Sequence, residues 1–451
     1  MFTSINPFTQ ETIAVYTAHT QQEIAHKLEL GYNAYRELGK VSLEQRRQWI
    51  MQVAQSLKDN VELHASLITQ EMGKTLKEAR AEVLKCATSA EYYAENITDM
   101  LQPRIIRSDA YKSYVSYEPK GIILAIMPWN FPYWQVFRFA LPNILAGNTG
   151  LLKHASNVSG CALAIEKIFT ESPFPAGTFQ SLLVTPKELE PIMADPRVQG
   201  VTITGSTPAG KNVAALAGKY IKKTVLELGG SDPFIVLKDA DVEAAAKTAV
   251  IGRMQNAGQS CIAAKRWIVE KEIVPTFTTA VRNILLGLKQ GDPTLEETTM
   301  GPMARLDLAE ELNKQLQSSI QQGARLELGG IHEGCNFAPT LLTGVTSDMT
   351  AFKEETFGPL AVIVEAQNED DAIALANETP FGLGAALWTS DLDKAALLAT
   401  KIESGNVFIN AMVRSDARLP FGGVKESGYG RELSLEGTHE FLNIKTVYIQ
   451  P

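Results

Sequence analysis

A thiol and a carboxylate frame the most chemically suggestive part of this chain. In NAGQSCIAAKR, residues 256–266, Cys261 stands among small uncharged neighbours that leave a sulfur room to meet a substrate. Upstream, LELGGSDPF holds an apolar β-type run that ends on Glu227 and turns on Gly229 and Gly230. A thiolate attacks electrophilic carbon and a carboxylate takes a proton from water, so Cys261 and Glu227 pair as nucleophile and base. The ordinary reading of a lone cysteine, an inert buried small hydrophobe, stands beside the catalytic one.

Such residues need a scaffold, and the pattern around them supplies one. Between 121 and 228 short apolar runs, GIILAIM, TGLLKH, FQSLLVT, VTITG and KTVLEL, alternate with helical stretches. That alternation predicts a parallel sheet with helices on both faces, which binds ligands at the carboxyl ends of its strands. A second alternating region covers 233–430, with PFIVL, RWIVE, LELGG, PLAVIVEA, AALWTS and NVFIN as strands. Residues 21–100 have the apolar spacing of amphipathic helices, with an end near Gly73. YKSYVSYE at 111–118 and NIKTVYI at 443–449 alternate at period two and predict exposed or edge strands. GSTPAG, Gly205 to Gly210, follows a strand and precedes a helix, where backbone amides can meet phosphate. Its spacing is neither the three-glycine dinucleotide fingerprint nor a P-loop, and a plain strand-to-helix turn also explains it.

Composition bounds the alternatives. A chain of 451 residues exceeds one core and predicts two or three domains. Hydrophobic content of 45% and charged content of 21% describe an ordinary soluble protein. A net charge of −9 argues against nucleic acid or an anionic membrane as partner. Cys86, Cys161, Cys261 and Cys335 are too scattered for a metal clip or a disulfide framework, so no metal is expected and a reducing cytoplasm is the natural compartment. The N-terminus shows neither a secretory signal nor a transit peptide. Residues 121–152 are greasy, but Pro128, Asn130, Pro132, Arg138 and Pro142 interrupt them, which predicts buried strand, loop and helix rather than a membrane span.

Taken together, MPWNFP at 127–132, LLK at 151–153, TGS at 204–206, LELGG at 226–230, GQSC at 258–261, EETFGP at 354–359 and PFGGVKESGYGRE at 420–432 stand in the order and spacing of the aldehyde dehydrogenase superfamily, which the whole chain resembles. The resemblance implies an α/β fold with a Rossmann-type coenzyme domain at 1–100 and 120–228, an α/β catalytic domain at 229–436, and a β-strand oligomerisation arm at 101–119 and 437–451. It further implies a homo-oligomer, dimer or tetramer, acting on a small molecule.

Residue by residue, the resemblance gives Cys261 as the nucleophile, Asn130 with the Cys261 backbone N–H as oxyanion donors, and Glu227 as the base that activates water against a thioester. For the coenzyme it implies Lys153 at the adenosine ribose, Trp129, Gly205, Ser206 and Gly210 on the phosphate and nicotinamide side, and Glu355 at the nicotinamide ribose with Phe357 packing nearby. Glu432 resembles a glutamate proposed as a proton relay. Many NAD-using relatives carry glutamate where this chain has Ser156, and a carboxylate there would repel the extra phosphate of NADP, so NADP is expected, with NAD as an alternative. Ser156 could instead cap the following helix.

For the substrate, helical spacing puts Phe131, Trp134 and Arg138 on one face beyond the Asn130 loop. Arg138 is either salt-bridged to a neighbouring acid or free to grip a substrate carboxylate, as in succinate-semialdehyde dehydrogenases, the subgroup that KHASN and NAMVRSDARLPFGG most resemble; Ser415 could add a hydroxyl contact. The expectation is oxidation of succinate semialdehyde or a similar short carboxy-aldehyde. Its rivals are other or broad aldehyde specificity, coenzyme-A acylation of the same thioester, and a non-enzymatic binding protein on the same fold.

Overall fold

The structure, a computed structural model, describes residues 1–451. The chain opens with a hairpin, β1 (Phe2–Ile5) and β2 (Thr12–Tyr16), that the sequence pattern did not announce. Helices Gln21–Leu38 and Leu43–Asp59 follow, each started by a capping box, Thr20 with Glu23 and Ser42 with Gln45. Helix Val61–Met72 ends on the left-handed Gly73. The long helix Leu76–Met100 buries Ala79, Val83, Cys86, Ala87, Ala90, Ala94 and Ile97, a stripe at three- and four-residue spacing. That stripe carries Glu82 and Lys85 to the helix Trp134–Ala146, which is buried along its whole length.

Beyond the two-residue strand β3 (Arg104–Ile105) and β4 (Lys112–Pro119) comes the first large sheet. Its strands are β5 (Ile122–Met127), β6 (Thr149–His154), β7 (Phe179–Ser181), β8 (Val198–Thr204) and β9 (Lys223–Glu227), all parallel. The second sheet takes β10 (Asp232–Val236), β11 (Ala264–Glu270), β12 (Arg325–Leu328), β15 (Thr340–Thr343), β16 (Leu360–Ala366), β17 (Gly384–Trp388) and β18 (Asn406–Ile409), with a small hairpin of β13 (His332–Glu333) and β14 (Asn336–Phe337) beside it. It runs in the order β12-β15-β16-β11-β10-β17-β18, parallel except for β12 at the edge. Apolar strands buried on both faces read as continuous runs, which is why this alternation was legible.

A short strand, β19 (Gly428–Tyr429), lies antiparallel to β9 in the first sheet, and β20 (Leu442–Ile449) pairs along the full length of β4. The return of 428–429 to the first sheet crosses the division expected at 228/229, because this segment packs beside Glu227 rather than on β18. The two period-two segments do form one sheet, β20-β4-β3. No helix is long and apolar enough to cross a membrane. The greasy stretch 121–152 is buried strand, loop and helix.

Candidate active site

Cys261 is the one cysteine that is not buried, and an unusual turn presents it. After helix Val242–Met254 three successive residues take left-handed backbone, Asn256 (φ 55), Ala257 (φ 51) and Gly258 (φ 72). Such strain persists only where surroundings over-determine it. Asn256 Nδ2 donates to the carbonyls of Asn130 at 2.8 Å and Gln259 at 3.1 Å. The buried Arg253 guanidinium donates to the carbonyls of Gly258, Thr356 and Leu360, tying the cysteine turn to the EETFGP segment. A Cβ on Gly258 would stand 2.2 Å from the Gly358 carbonyl oxygen, so only glycine permits this approach of backbone to backbone. Lys265 Nζ donates to the carbonyls of Cys261 (2.7 Å) and Ser260 (3.0 Å) and lies 3.2 Å from Glu355.

Two cavities meet at Cys261. One, of about 240 Å³, is lined by Trp129, Asn130, Gly205, Ser206, Glu355 and Phe357 besides Cys261. The other, of about 190 Å³, is lined by Phe131, Trp134, Arg138 and Ser415, with Lys85 and Arg414, besides Cys261. Strand ends deliver the first set: β5 runs into the Trp129–Asn130 loop and β8 into Gly205 and Ser206. The helical face beyond Asn130 delivers Trp134 and Arg138, as their spacing predicts.

Burial and two nearby cations act on the sulfur in opposite directions. Burial pushes the Cys261 thiol up to about 11, while Arg138 and Lys265 pull it back. Asn130 is buried; Gln135 Nε2 donates to its Oδ1 at 3.1 Å, and its Nδ2 donates to the Gln259 carbonyl at 3.0 Å. One amide hydrogen is thereby left over on a residue that lines the same cavity as Cys261. The Cys261 backbone N–H has no acceptor within the chain.

Glu227 is placed differently from the expectation of a base at the sulfur. It ends β9, and its carboxyl, 2% exposed, has no hydrogen-bond partner and lines neither cavity. Burial holds it well above the usual carboxylate range, with Arg138 opposing and Glu432 adding to the rise. To reach a thioester on Cys261 the side chain must turn toward the cavities, a motion that breaks no hydrogen bond of its carboxyl.

Arg138 takes the salt-bridged alternative. Its Nε pairs with the buried Glu432, and its Nη2 donates to Thr204 Oγ1 at 3.1 Å, although the side chain still borders the substrate-side cavity. Glu432 therefore holds an arginine in this structure. Ser415 Oγ accepts from Trp134 Nε1 at 2.9 Å and from Lys85 Nζ at 2.9 Å. Lys85, Arg253 and Lys265 carry weight that their surroundings in the sequence did not signal.

The coenzyme side fits a nicotinamide dinucleotide. Trp129 and Phe357 meet edge to face, 5.8 Å between centroids. Glu355 is held by Lys265 and by the Gly230 N–H at 3.1 Å, and a Cβ on Gly229 would stand 2.4 Å from its Oε2. Ser206 precedes helix Thr207–Lys219 without bonding its first amides, which leaves an anion-receptive N-terminus. Gly210 lies inside that helix and does not line the cavity; a Cβ there would strike Leu228 at 2.3 Å, so its smallness serves helix-to-sheet packing. Lys153 and Ser156 lie outside the cavity, at the carboxyl end of β6. Lys153 forms no ion pair, and burial pulls its ammonium below the ordinary lysine value. The exposed Ser156 begins a 3-10 turn whose cap position, Ala155, has no side-chain bond, so the hydroxyl is not spent on capping.

Comparison with known proteins agrees with this geometry. A family model described as the aldehyde dehydrogenase family matches residues 1–447. A Synechocystis protein named probable succinate-semialdehyde dehydrogenase, NADP(+), is 48% identical over 449 residues, 99% of each chain. An Escherichia coli protein named succinate semialdehyde dehydrogenase, NAD(P)+, is 46% identical over 448 residues, 99% of this chain and 97% of its own. The crystal structure of a succinic semialdehyde dehydrogenase from Streptococcus pyogenes in complex with NADP+ superposes with a TM-score of 0.98 at 37% identity, covering 100% of both chains. With the strained cysteine turn, the paired cavities and a match over nearly its full length, the chain belongs to the aldehyde dehydrogenase family.

Proposed function

We propose that this protein oxidises succinate semialdehyde, or a similar short aldehyde with a distal carboxylate, to the diacid, with NADP as its preferred coenzyme. The observation that carries this reading is the position of Cys261 on the wall of both cavities, one with a dinucleotide-type lining and the other edged by cations. The names of the Synechocystis and Escherichia coli relatives support the same substrate.

In this mechanism Cys261 Sγ attacks the aldehyde carbon. The developing oxyanion is met by the remaining Asn130 amide hydrogen and the Cys261 N–H, donors already fixed in place. Trp129, Glu355, Phe357, Gly205 and Ser206, with Lys153 and Ser156 toward the adenosine end, would hold NADP, which in its oxidised form would supply the acceptor for the hydride lost from the aldehyde carbon. The chain is then acylated on Cys261. Glu227, deprotonated and turned toward the sulfur, takes a proton from the water that hydrolyses this thioester. Arg138 and Lys265 favour the thiolate, since each lowers the cost of charge on the sulfur.

The same reading assigns 1–100 and 120–228 to the coenzyme domain and 229–436 to the catalytic domain, with Gly428–Tyr429 lent back to the coenzyme-side sheet. The sheet of β3, β4 and β20, which leaves Ile105 and Ile444 exposed, is assigned to a homo-oligomer; sedimentation showing only monomer at micromolar concentration contradicts that.

A panel of aldehydes of matched length, with and without a distal carboxylate and with each coenzyme, tests the function. The carboxy-aldehyde with NADP should give the highest kcat/KM and a free diacid. Equal rates for charged and uncharged aldehydes, or formation of an acyl-CoA, contradict it.

A further inference from the structure

The charges around the substrate-side cavity are unevenly used. The cations bordering it are Lys74, Lys85, Arg138 and Arg414, and the acids are Glu78 and Glu82. Glu82 is taken by Lys74 and by the backbone N–H groups of Tyr133 and Trp134. Glu78 accepts from the Asn256 N–H at 2.7 Å and from Thr75. Arg138 is neutralised by Glu432. That leaves Lys85, half-buried, and Arg414, exposed at the mouth, as the cations with no carboxylate partner.

Lys85 is built into the wall rather than hanging from it. Its ammonium lies 3.9 Å from the centre of the Trp134 ring and donates to Ser415 Oγ at 2.9 Å. Trp134 Nε1 donates to the same oxygen at 2.9 Å. Two donors occupy both lone pairs of Ser415, so the hydroxyl hydrogen can only be given away, and the chain offers it no acceptor. An ammonium with further hydrogens and a hydroxyl forced to donate thus stand side by side in a cavity that contains the nucleophile.

We propose that Lys85, with the Ser415 hydroxyl, is the anchor for the carboxylate of the substrate, and that Arg138 is a positioning residue behind it. This rests on the carboxy-aldehyde reading above. The anion replaces water around Lys85 and completes the hydrogen bonding of Ser415, which a neutral aldehyde cannot do. Burial also pulls the Lys85 ammonium down to about 8, with Arg138 lowering it further and Cys86, Glu82 and Asp416 opposing. Arg414 borders the same space from the loop after β18. Below about 8 Lys85 is charged and the anchor is present; above it the charge and the anchor are lost.

The test compares succinate semialdehyde with its methyl ester, which has the same aldehyde and no charge. The readout is the ratio of kcat/KM for acid to ester, in which titration of the shared Cys261 cancels. Wild-type enzyme should prefer the acid, Lys85→Met should lower the ratio about 30-fold or more, and Lys85→Arg should retain most of it. In wild type the ratio should fall above pH 8, and in Lys85→Arg it should stay flat, a reading that does not depend on the methionine variant folding. A wild type without preference for the acid overturns the carboxy-aldehyde reading itself. A preference that survives in Lys85→Met, or a wild-type ratio independent of pH, overturns the Lys85 anchor alone.

Discussion

Arg138 and Glu432 form an ion pair with both side chains almost wholly buried, and the unbonded carboxyl of Glu227 lies within the field of the same two charges. The arrangement lets one arginine do three things: neutralise Glu432, bond Thr204, and lower the cost of charge on Glu227 and Cys261.

Breaking that pair from one side should be costly, since the remaining charge is left buried. Arg138→Met or Glu432→Met alone should each lose about 3 to 5 kcal/mol of stability, whereas the double variant should lose clearly less than the sum. Urea unfolding of the three variants reads this directly. Additive losses would mean that the two side chains do not depend on each other.

The coenzyme choice should follow position 156. Ser156→Glu places a carboxylate where the hydroxyl is now exposed and unbonded, and should raise the NAD to NADP ratio of kcat/KM tenfold or more, about 1.4 kcal/mol. An unchanged ratio places the discrimination elsewhere.

Gly229 should matter for coenzyme and little for folding. A Cβ there meets the end of the flexible Glu355 side chain, which can move aside, so Gly229→Ala should keep its melting temperature while displacing Glu355. The expected result is a KM for coenzyme raised about tenfold, the loss of one hydrogen-bonded contact, with the aldehyde KM changed far less. A collapse in stability with coenzyme affinity intact would contradict it.

Alkylation of Cys261 reports its environment. Only the thiolate reacts, and with a thiol pushed up to about 11 the rate with iodoacetamide should climb tenfold per pH unit from 7 to 9.5 without levelling. The other cysteines are buried, so peptide mapping separates them. A plateau near neutral pH would show a thiol already activated.

Much of this was readable in the chain because the relevant residues sit in short local patterns. Continuous apolar strands gave the two parallel sheets, and Asn130, Gly205, Cys261 and Glu355 each lie in a motif that, taken with the others in order, resembles the aldehyde dehydrogenase superfamily. What stayed hidden depends on partners distant in sequence. Lys85 lies on an amphipathic helix among the exposed positions Ala81, Leu84 and Thr88, and only the loop after β18 brings Ser415 against it. Arg253 and Lys265 hold loop carbonyls, which leave no charge pattern to find. The strand Gly428–Tyr429 is too short to show a period. Arg138 was legible as a cavity residue from helical spacing, but its partner, Glu432, is supplied from the far end of the chain.

The central claim, covalent oxidation through Cys261 with Glu227 needed for release, is tested most directly by rapid-quench mass analysis of Glu227→Gln mixed with succinate semialdehyde and NADP. The account predicts a burst of reduced coenzyme equal to the active sites, little turnover afterwards, and a succinyl group on the Cys261 peptide that is absent from Cys261→Ala. Steady turnover at the wild-type rate, or a burst with no acyl group on Cys261, would contradict it.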